Sequence, residues 1–184
     1  MAVIDLMVER VWPIAKRIVL SWNDQASEIF ILDLPLQDMA RILDVISAAT
    51  TDPVVLRFDG INLEKERPLT QQMRNRLIER SRMSTVHSLR ASIAKRANCY
   101  FYFWIDAERG CLETEMVFWN DLSFPAGVPL TEHKSMLGRL LRIAHGIRGE
   151  NHQCKCILSP EYNSEPRELL NGALNGESKE VAIW

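Results

Sequence analysis

A run of aromatic and β-branched residues in the middle of the chain constrains the fold more than any other feature. It extends from Asn98 to Asp106, and a second run from Glu113 to Asn120 follows after six residues that include Gly110. Aromatic and β-branched side chains favour strands, and glycine adopts the positive φ that a tight turn needs. The sequence therefore predicts a β-hairpin, over about residues 98–120, at the centre of the fold.

The register of this hairpin follows from which side chains must be buried. Pairing Asp106 with Cys111 collects a nearly continuous apolar row on one face, whereas a slip by one residue would bring Glu113 and Glu115 opposite that row. We expect the first register. The side chains expected to be buried are Phe101, Phe103, Ile105, Leu112, Met116 and Phe118.

The second face of the hairpin mixes aromatic and acidic side chains, and it has two interpretations. The row Tyr100, Tyr102 and Trp104 either packs beneath a helix or forms a protein-binding surface, since Tyr and Trp combine apolar area with a polar group. Under the second interpretation, aromatic anchors and nearby carboxylates contact the partner. The candidate partner-binding residues are Trp104, Asp106, Glu108, Glu113, Glu115 and Trp119.

Composition is that of an ordinary globular protein. The 184 residues are 47% hydrophobic and 25% charged, with a formal net charge of −2. This charge argues against a dedicated nucleic-acid or membrane-surface binder, and no apolar run approaches the roughly 20 residues of a membrane span. The N-terminal segment carries Asp5 and Glu9 early and lacks the pattern of a secretory signal, which predicts a cytoplasmic location.

The N-terminal third contains one ambiguous segment. Residues 2–12 predict a short helix that ends near Pro13, because proline lacks a backbone N–H. Residues 17–22 and 28–34 then read as two strands, with a continuous helix over residues 13–22 as the alternative for the first of them.

The next elements are predicted from periodicity. A helix is expected over residues 36–49, where Met39, Ile42, Leu43 and Ile46 share a face, and a strand over residues 53–58. Residues 69–97 predict two helices with a break at 81–84, because their apolar stripes point in different directions. This region is rich in arginine, which predicts a solvated surface, with a regulatory or nucleic-acid-associated role as an alternative.

After the hairpin, residues 121–129 predict a rigid loop. Thr131 is the expected N-cap of a helix that reaches Arg148 and ends at Gly149. The segments 167–174 and 181–184 predict a short helix and a docked strand. Because strands and helices interleave throughout, we expect a single α+β domain over residues 1–184, with a mainly antiparallel central sheet, helices packed on it, and a less regular tail from about residue 159.

Metal and enzyme motifs are sparse. His152, Cys154 and Cys156 would share one side of a strand, but the paired spacing of a structural zinc site is missing, so we interpret this segment as an edge strand and predict neither metal nor cofactor. The chain lacks a glycine-rich phosphate loop, a Gly-x-Ser-x-Gly elbow and a His-Glu-x-x-His motif. The acidic cluster near the hairpin turn leaves a small enzyme as an alternative function.

In size, mixed α/β composition and lack of catalytic motifs, the chain resembles the small cytosolic immunity proteins that bacteria encode beside polymorphic or secreted toxins. The resemblance includes the aromatic run at residues 100–104 and its continuation through residues 118–125. It implies a non-catalytic module that binds a cognate toxin, with aromatic anchors providing contact area and carboxylates steering association with a basic surface.

Overall fold

Eight antiparallel strands form one sheet, and the described helices pack against it. The computed structural model describes residues 2–21, 25–94, 97–151, 153–160, 165–175 and 181–184. The strands are β1 (Ala26–Pro35), β2 (Thr51–Phe58), β3 (Ile61–Pro68), β4 (Thr85–Ala94), β5 (Ala97–Asp106), β6 (Cys111–Trp119), β7 (Cys156–Pro160) and β8 (Ala182–Ile183). Their order in the sheet is β3-β2-β4-β5-β6-β1-β7-β8.

The described helices are α1 (Ala2–Ser21), α2 (Met39–Ala49), α3 (Gln71–Arg80), α4 (Asn120–Ser123), α5 (Leu130–Arg148) and α6 (Pro166–Leu174), and a single 3-10 turn at Leu36–Asp38 precedes α2. The predicted single α+β domain with an antiparallel sheet is confirmed. Within the described ranges, no helix has both the length and the apolar composition that crossing a bilayer requires.

The central hairpin has the predicted register. Asp106 pairs with Cys111, and the pairing continues without interruption to Cys99 and Phe118. Gly110 adopts a φ of 67° in the turn. All six side chains that the register assigns to the core are buried: Phe101, Phe103, Ile105, Leu112, Met116 and Phe118.

Helices cover the two faces of the sheet unequally. In β1, Ile29 and Ile31 belong to the main core, which also contains the buried residues of α1, α2, α3 and α5. Phe30 and Leu32 point to the opposite side, because side chains alternate along a strand, and there they pack in a smaller cluster with α6. The second face is therefore covered by α6 near β1, β7 and β8.

The prediction that the first helix stops at Pro13 is wrong, as is the strand predicted for residues 17–22. Helix α1 runs through Pro13 to Ser21, while Trp22 lies outside the described residues. Proline has no N–H, so the carbonyl of Glu9 loses its helical hydrogen bond. Glu9 and Pro13 are both exposed, and water can therefore bind that carbonyl. The buried residues Val11, Ala15 and Ile18 continue the helical spacing across the proline and hold the helix on the core.

The helix predicted for residues 84–97 is also wrong, because residues 85–94 form β4. Leu89 and Ala91 pair with Phe101 and Cys99 of β5 and bury the same face. Buried and less buried side chains alternate along this segment, as a strand requires. The helical spacing of its apolar residues is coincidental. The break after residue 80 is confirmed, since α3 ends there.

Three smaller predictions also need correction. Helix α5 begins at Leu130 with Pro129 as its N-cap residue, so Thr131 is not the cap. Part of the loop predicted for residues 121–129 belongs to α4. Strand β7, which begins at Cys156, lies between β1 and β8 and is not an edge strand.

Strand β3, which the sequence did not predict, forms one edge of the sheet and is strongly bulged. Its pairing with β2 places four residues, 63–66, opposite the single residue Leu56. The exposed side chains in β3 include Glu64, Lys65 and Arg67. At the other edge, β8 is two residues long, and Trp184 exchanges two backbone hydrogen bonds of 3.1 Å with Cys156.

Arg41 joins α2 to the C-terminal end of α5. Its guanidinium donates to the carbonyls of Gly146 (2.5 Å) and Ile147 (2.7 Å) and pairs with Asp38 (2.7 Å). These carbonyls belong to the last turn of α5, where helical partners are missing. Gly149 ends the helix with a φ of 62°, and a Cβ there would lie 3.0 Å from the guanidinium.

We expect Arg41→Met to lower the free energy of unfolding by about 1–3 kcal/mol, because it removes charge-assisted hydrogen bonds to helix-end carbonyls. The measurement is urea unfolding followed by circular dichroism. The matched control is Arg142→Met, which changes an exposed arginine of α5, the helix whose end Arg41 contacts, and should stay within about 0.5 kcal/mol of the wild type. Equal stabilities of the two variants would contradict this role of Arg41.

Candidate functional site

The outward side chains of β4, β5 and β6 form a surface on which the described helices leave Trp104 exposed, and we call it the open face. The register sets its rows: Trp104 lies between Val86 and Glu113, and the next row places Tyr102 between Ser88 and Glu115. Trp104 is 44% exposed, which is inconsistent with packing beneath a helix, whereas Tyr100 and Tyr102 are half-buried. The open face therefore presents a large aromatic side chain to solvent.

The orientation of Trp104 is fixed by a neighbouring carboxylate. Its indole Nε1–H donates a hydrogen bond of 3.1 Å to Oε2 of Glu115. Because β5 and β6 each pair with strands on both sides, the backbone beneath this contact is held by the centre of the sheet. Trp104 is thus an exposed side chain with a fixed orientation, and preorganisation of this kind lowers the entropic cost of binding in general.

Trp119 lies on the same face but at the far end of β6. It is also 44% exposed, and it lies six positions along β6 from Glu113, the partner of Trp104. At about 3.3 Å per residue this spacing is roughly 20 Å. Of the predicted residues, the structure brings Trp104, Asp106, Glu113 and Glu115 together, places Glu108 exposed in the adjacent turn, and leaves Trp119 separate.

A small cavity opens beside Trp104 at the turn end of the hairpin, and we call it the hairpin pocket. Its volume is about 170 Å³. Its lining combines apolar, acidic and basic side chains with one thiol: Val86, Trp104, Ile105, Asp106, Arg109, Cys111 and Glu113.

An ion-pair network behind this pocket connects three distant segments. Arg167 of α6 lies 2.7 Å from both Oδ1 of Asp33 and Oε1 of Glu113, and these contacts raise the pKa of its guanidinium. Arg109 stands farther away, at 3.8 Å from Asp33 and 3.9 Å from Asp106. The network connects α6 to the hairpin. Because its carboxylate oxygens are engaged in ion pairs that stabilise the fold, acid–base catalysis by these groups is not favoured.

Sequence reasoning missed Asp33, Arg167 and Cys111 as members of this site. A signal existed for Asp33, which interrupts the apolar run of β1 and has a φ of 58° beside a shift in the β1–β6 register. Nothing local identifies Arg167, because its role depends on where α6 packs.

The arginines of residues 74–96 are mostly engaged with other groups. Arg74 pairs with Asp44, Arg80 with Asp59 at 3.7 Å, and Arg90 with Glu66 at 2.5 Å. The guanidinium of Arg76 stacks over Phe58 at 4.7 Å, and Lys95 and Arg96 lie outside the described residues. Pairing with carboxylates reduces the positive potential that a nucleic acid would meet.

The cysteines differ in accessibility. Cys99, Cys154 and Cys156 are buried, and Cys111 is half-buried in the hairpin pocket; all four are free thiols. His152 lies outside the described residues, so its suggested relation to Cys154 and Cys156 stays a prediction. Among the residues that the structure does describe, no group of three or more metal-ligating side chains is found.

His87 is a buried histidine that serves the fold. Its Nδ1 accepts a hydrogen bond of 3.0 Å from the backbone N–H of Asp59, and its ring stacks on Phe58 at 5.3 Å. Burial, reinforced by Arg80 and opposed by Asp59, lowers the pKa of His87 to about 4. The folded protein therefore contains the neutral ring at neutral pH.

Because the pKa of His87 is lower in the folded chain than the ordinary 6.5, the unfolded chain binds more protons between pH 4 and 6.5. This contribution to stability is complete above pH 6.5 and is lost as the pH falls toward 4. In the variant His87→Asn, the amide Oδ1 replaces Nδ1 as the hydrogen-bond acceptor but does not titrate. When the pH is lowered from 7 to 4.5, we expect the free energy of unfolding of this variant to fall by about 2 kcal/mol less than that of the wild type. Urea unfolding at both pH values measures this difference, and an equal loss in both proteins would contradict the assignment.

Comparison of the chain with known protein families, with curated proteins and with solved structures finds no match.

Proposed function

We propose that this protein is a non-catalytic binding module that holds another protein against its open face, and that the partner is a cognate bacterial toxin which it inhibits in the cytoplasm. The observation that carries the binding role is the exposed indole of Trp104, held in place by Glu115 on two central strands. Exposed, oriented tryptophans are frequent hot spots of protein interfaces.

The distribution of charge supports a partner with a basic surface. Five carboxylates surround the hairpin turn and the adjoining part of the open face, and two guanidinium groups lie among them: Asp33, Asp106, Glu108, Glu113 and Glu115 against Arg109 and Arg167. The remaining negative charge would accelerate association with a positive surface and disfavour acidic partners.

The extent of the open face supports a protein, rather than a small molecule, as the ligand. The two exposed tryptophans lie roughly 20 Å apart, which fits within the approximately 800 Å² that each partner contributes to an interface of standard size. A small ligand would need a deeper cavity than the hairpin pocket, whose volume of about 170 Å³ is below the usual range for such sites.

The resemblance to immunity proteins supplies the identity of the proposed partner. The resemblance and the acidic open face together favour a toxin whose functional surface is basic. The four free thiols suit the reducing cytoplasm in which such a protein would act.

The direct test is co-expression with the product of a neighbouring gene. We expect that product to arrest growth alone, to be harmless when this chain is present, and to co-purify with it as a complex. Neighbouring genes that all encode metabolic enzymes, with no toxic product and no complex, would contradict the proposal and favour the enzyme alternative.

Within such a complex, we expect Trp104→Ala or Trp119→Ala to weaken binding by about 2–4 kcal/mol where the indole is fully buried by the partner, because a desolvated tryptophan contact is lost. Isothermal titration or surface plasmon resonance measures the change. The matched control is Leu6→Ala, which removes a 72% exposed side chain from α1 on the other side of the sheet.

Melting curves of all three variants separate lost contact from lost stability, because truncating a core residue would weaken binding through unfolding. Folded tryptophan variants that bind with unchanged affinity would show that the open face is not the interface.

A further inference from the structure

We infer that the hairpin pocket receives a lysine or arginine side chain of the protein partner, an inference that rests on the binding role proposed above. A pocket of about 170 Å³ has roughly the volume of five or six liquid water molecules. It therefore fits one long side chain, and is too small for a strand or a helix.

The walls of the pocket match the two parts of a basic side chain. Val86 and the indole of Trp104 provide apolar surface for the methylene stem. Lysine and arginine bury their stems along such surface while their charged groups reach polar partners. The face of an indole also attracts a cation, which adds to the contribution of the apolar contact.

Carboxylates lie where the charged end of that side chain would arrive. Asp106 and Glu113 line the pocket, and Asp33 stands behind it in the ion-pair network. Two cations already stand beside these carboxylates. Arg167 lies 2.7 Å from Asp33 and from Glu113, whereas the guanidinium of Arg109 is 54% exposed and stands 3.8–3.9 Å from the oxygens of Asp33 and Asp106, beyond direct hydrogen-bonding distance. An incoming cation can therefore pair with Asp106 without first breaking a short ion pair, while the two carboxylates of Asp33 and Glu113 share the single charge of Arg167 and add to the negative potential.

Cys111 lies in the pocket beside the same carboxylates. Burial raises the pKa of its thiol, and Asp106, Asp33 and Glu113 raise it further, against the opposing effect of Arg109. Because the other three cysteines are buried, Cys111 is also the thiol that a water-soluble reagent reaches first. It can serve as a reporter within the pocket itself.

The test uses the full chain without a partner and compares two methanethiosulfonates of similar size. One carries a trimethylammonioethyl group and the other a sulfonatoethyl group. In each reaction the Cys111 thiolate attacks the reagent sulfur, a mixed disulfide forms and methanesulfinate leaves. Rates are normalised to those of N-acetylcysteine amide, and mass spectrometry with Cys111→Ser confirms the modified site.

We expect the normalised rate at Cys111 to be at least about tenfold higher for the cationic reagent at low salt, with the preference decreasing as salt is added. Asp106→Asn and Glu113→Gln, which retain hydrogen-bond acceptors, should each reduce the preference several-fold. The matched control Glu64→Gln removes an exposed carboxylate on β3 and should leave the preference unchanged.

Equal normalised rates for the two reagents, or faster reaction of the anionic one, would overturn the inference whatever the tryptophan variants do to binding. Failure of the binding role would be seen separately, as unchanged affinity of folded Trp104→Ala and Trp119→Ala proteins for the partner. In the complex, Cys111 should be protected from both reagents, and full reactivity there would also overturn the inference.

Discussion

The pairing of β5 with β6 around buried phenylalanines is the interaction on which the rest of the structure depends. Phe101 and Phe103 are fully buried, and the register places Met116 and Thr114 directly opposite them. Since side chains alternate along a strand, burying this row forces Trp104 and its neighbours to the other side. The exposed aromatic surface is a geometric consequence of the core, and an isolated change in register would destroy both.

The same dependence explains which parts of the fold could be predicted. The hairpin was predictable because strand alternation, turn chemistry and the exclusion of carboxylates from the core all agree. Strand β4 was not, because its apolar residues satisfy helical spacing as well, and only pairing of Leu89 with Phe101 decides between the two. Helix α1 was misjudged at Pro13 because the cost of a proline depends on whether the freed carbonyl faces water.

The residues of the candidate site also differ in how far the sequence predicts them. Trp104, Glu113 and Glu115 could be assigned to one surface from the hairpin register alone. The contributions of Arg167 and Asp33 depend on the packing of α6 across β1, which involves residues more than 130 positions apart. Local patterns contain little information about such contacts, so the sequence indicated the acidic residues of the hairpin and missed both Asp33 and the Arg167 that pairs with it.

The bulged edge strand β3 has a consequence for how a partner can be recognised. Four residues of β3 oppose one residue of β2, and the exposed charged side chains Glu64, Lys65 and Arg67 lie along this edge. Bulges and charges of this kind prevent the edge-to-edge association of sheets. At the opposite edge, β8 offers two residues, too few to template a further strand of ordinary length. Recognition by β-strand addition is therefore disfavoured at both edges. A protein that binds this chain would contact side chains rather than unpaired backbone groups.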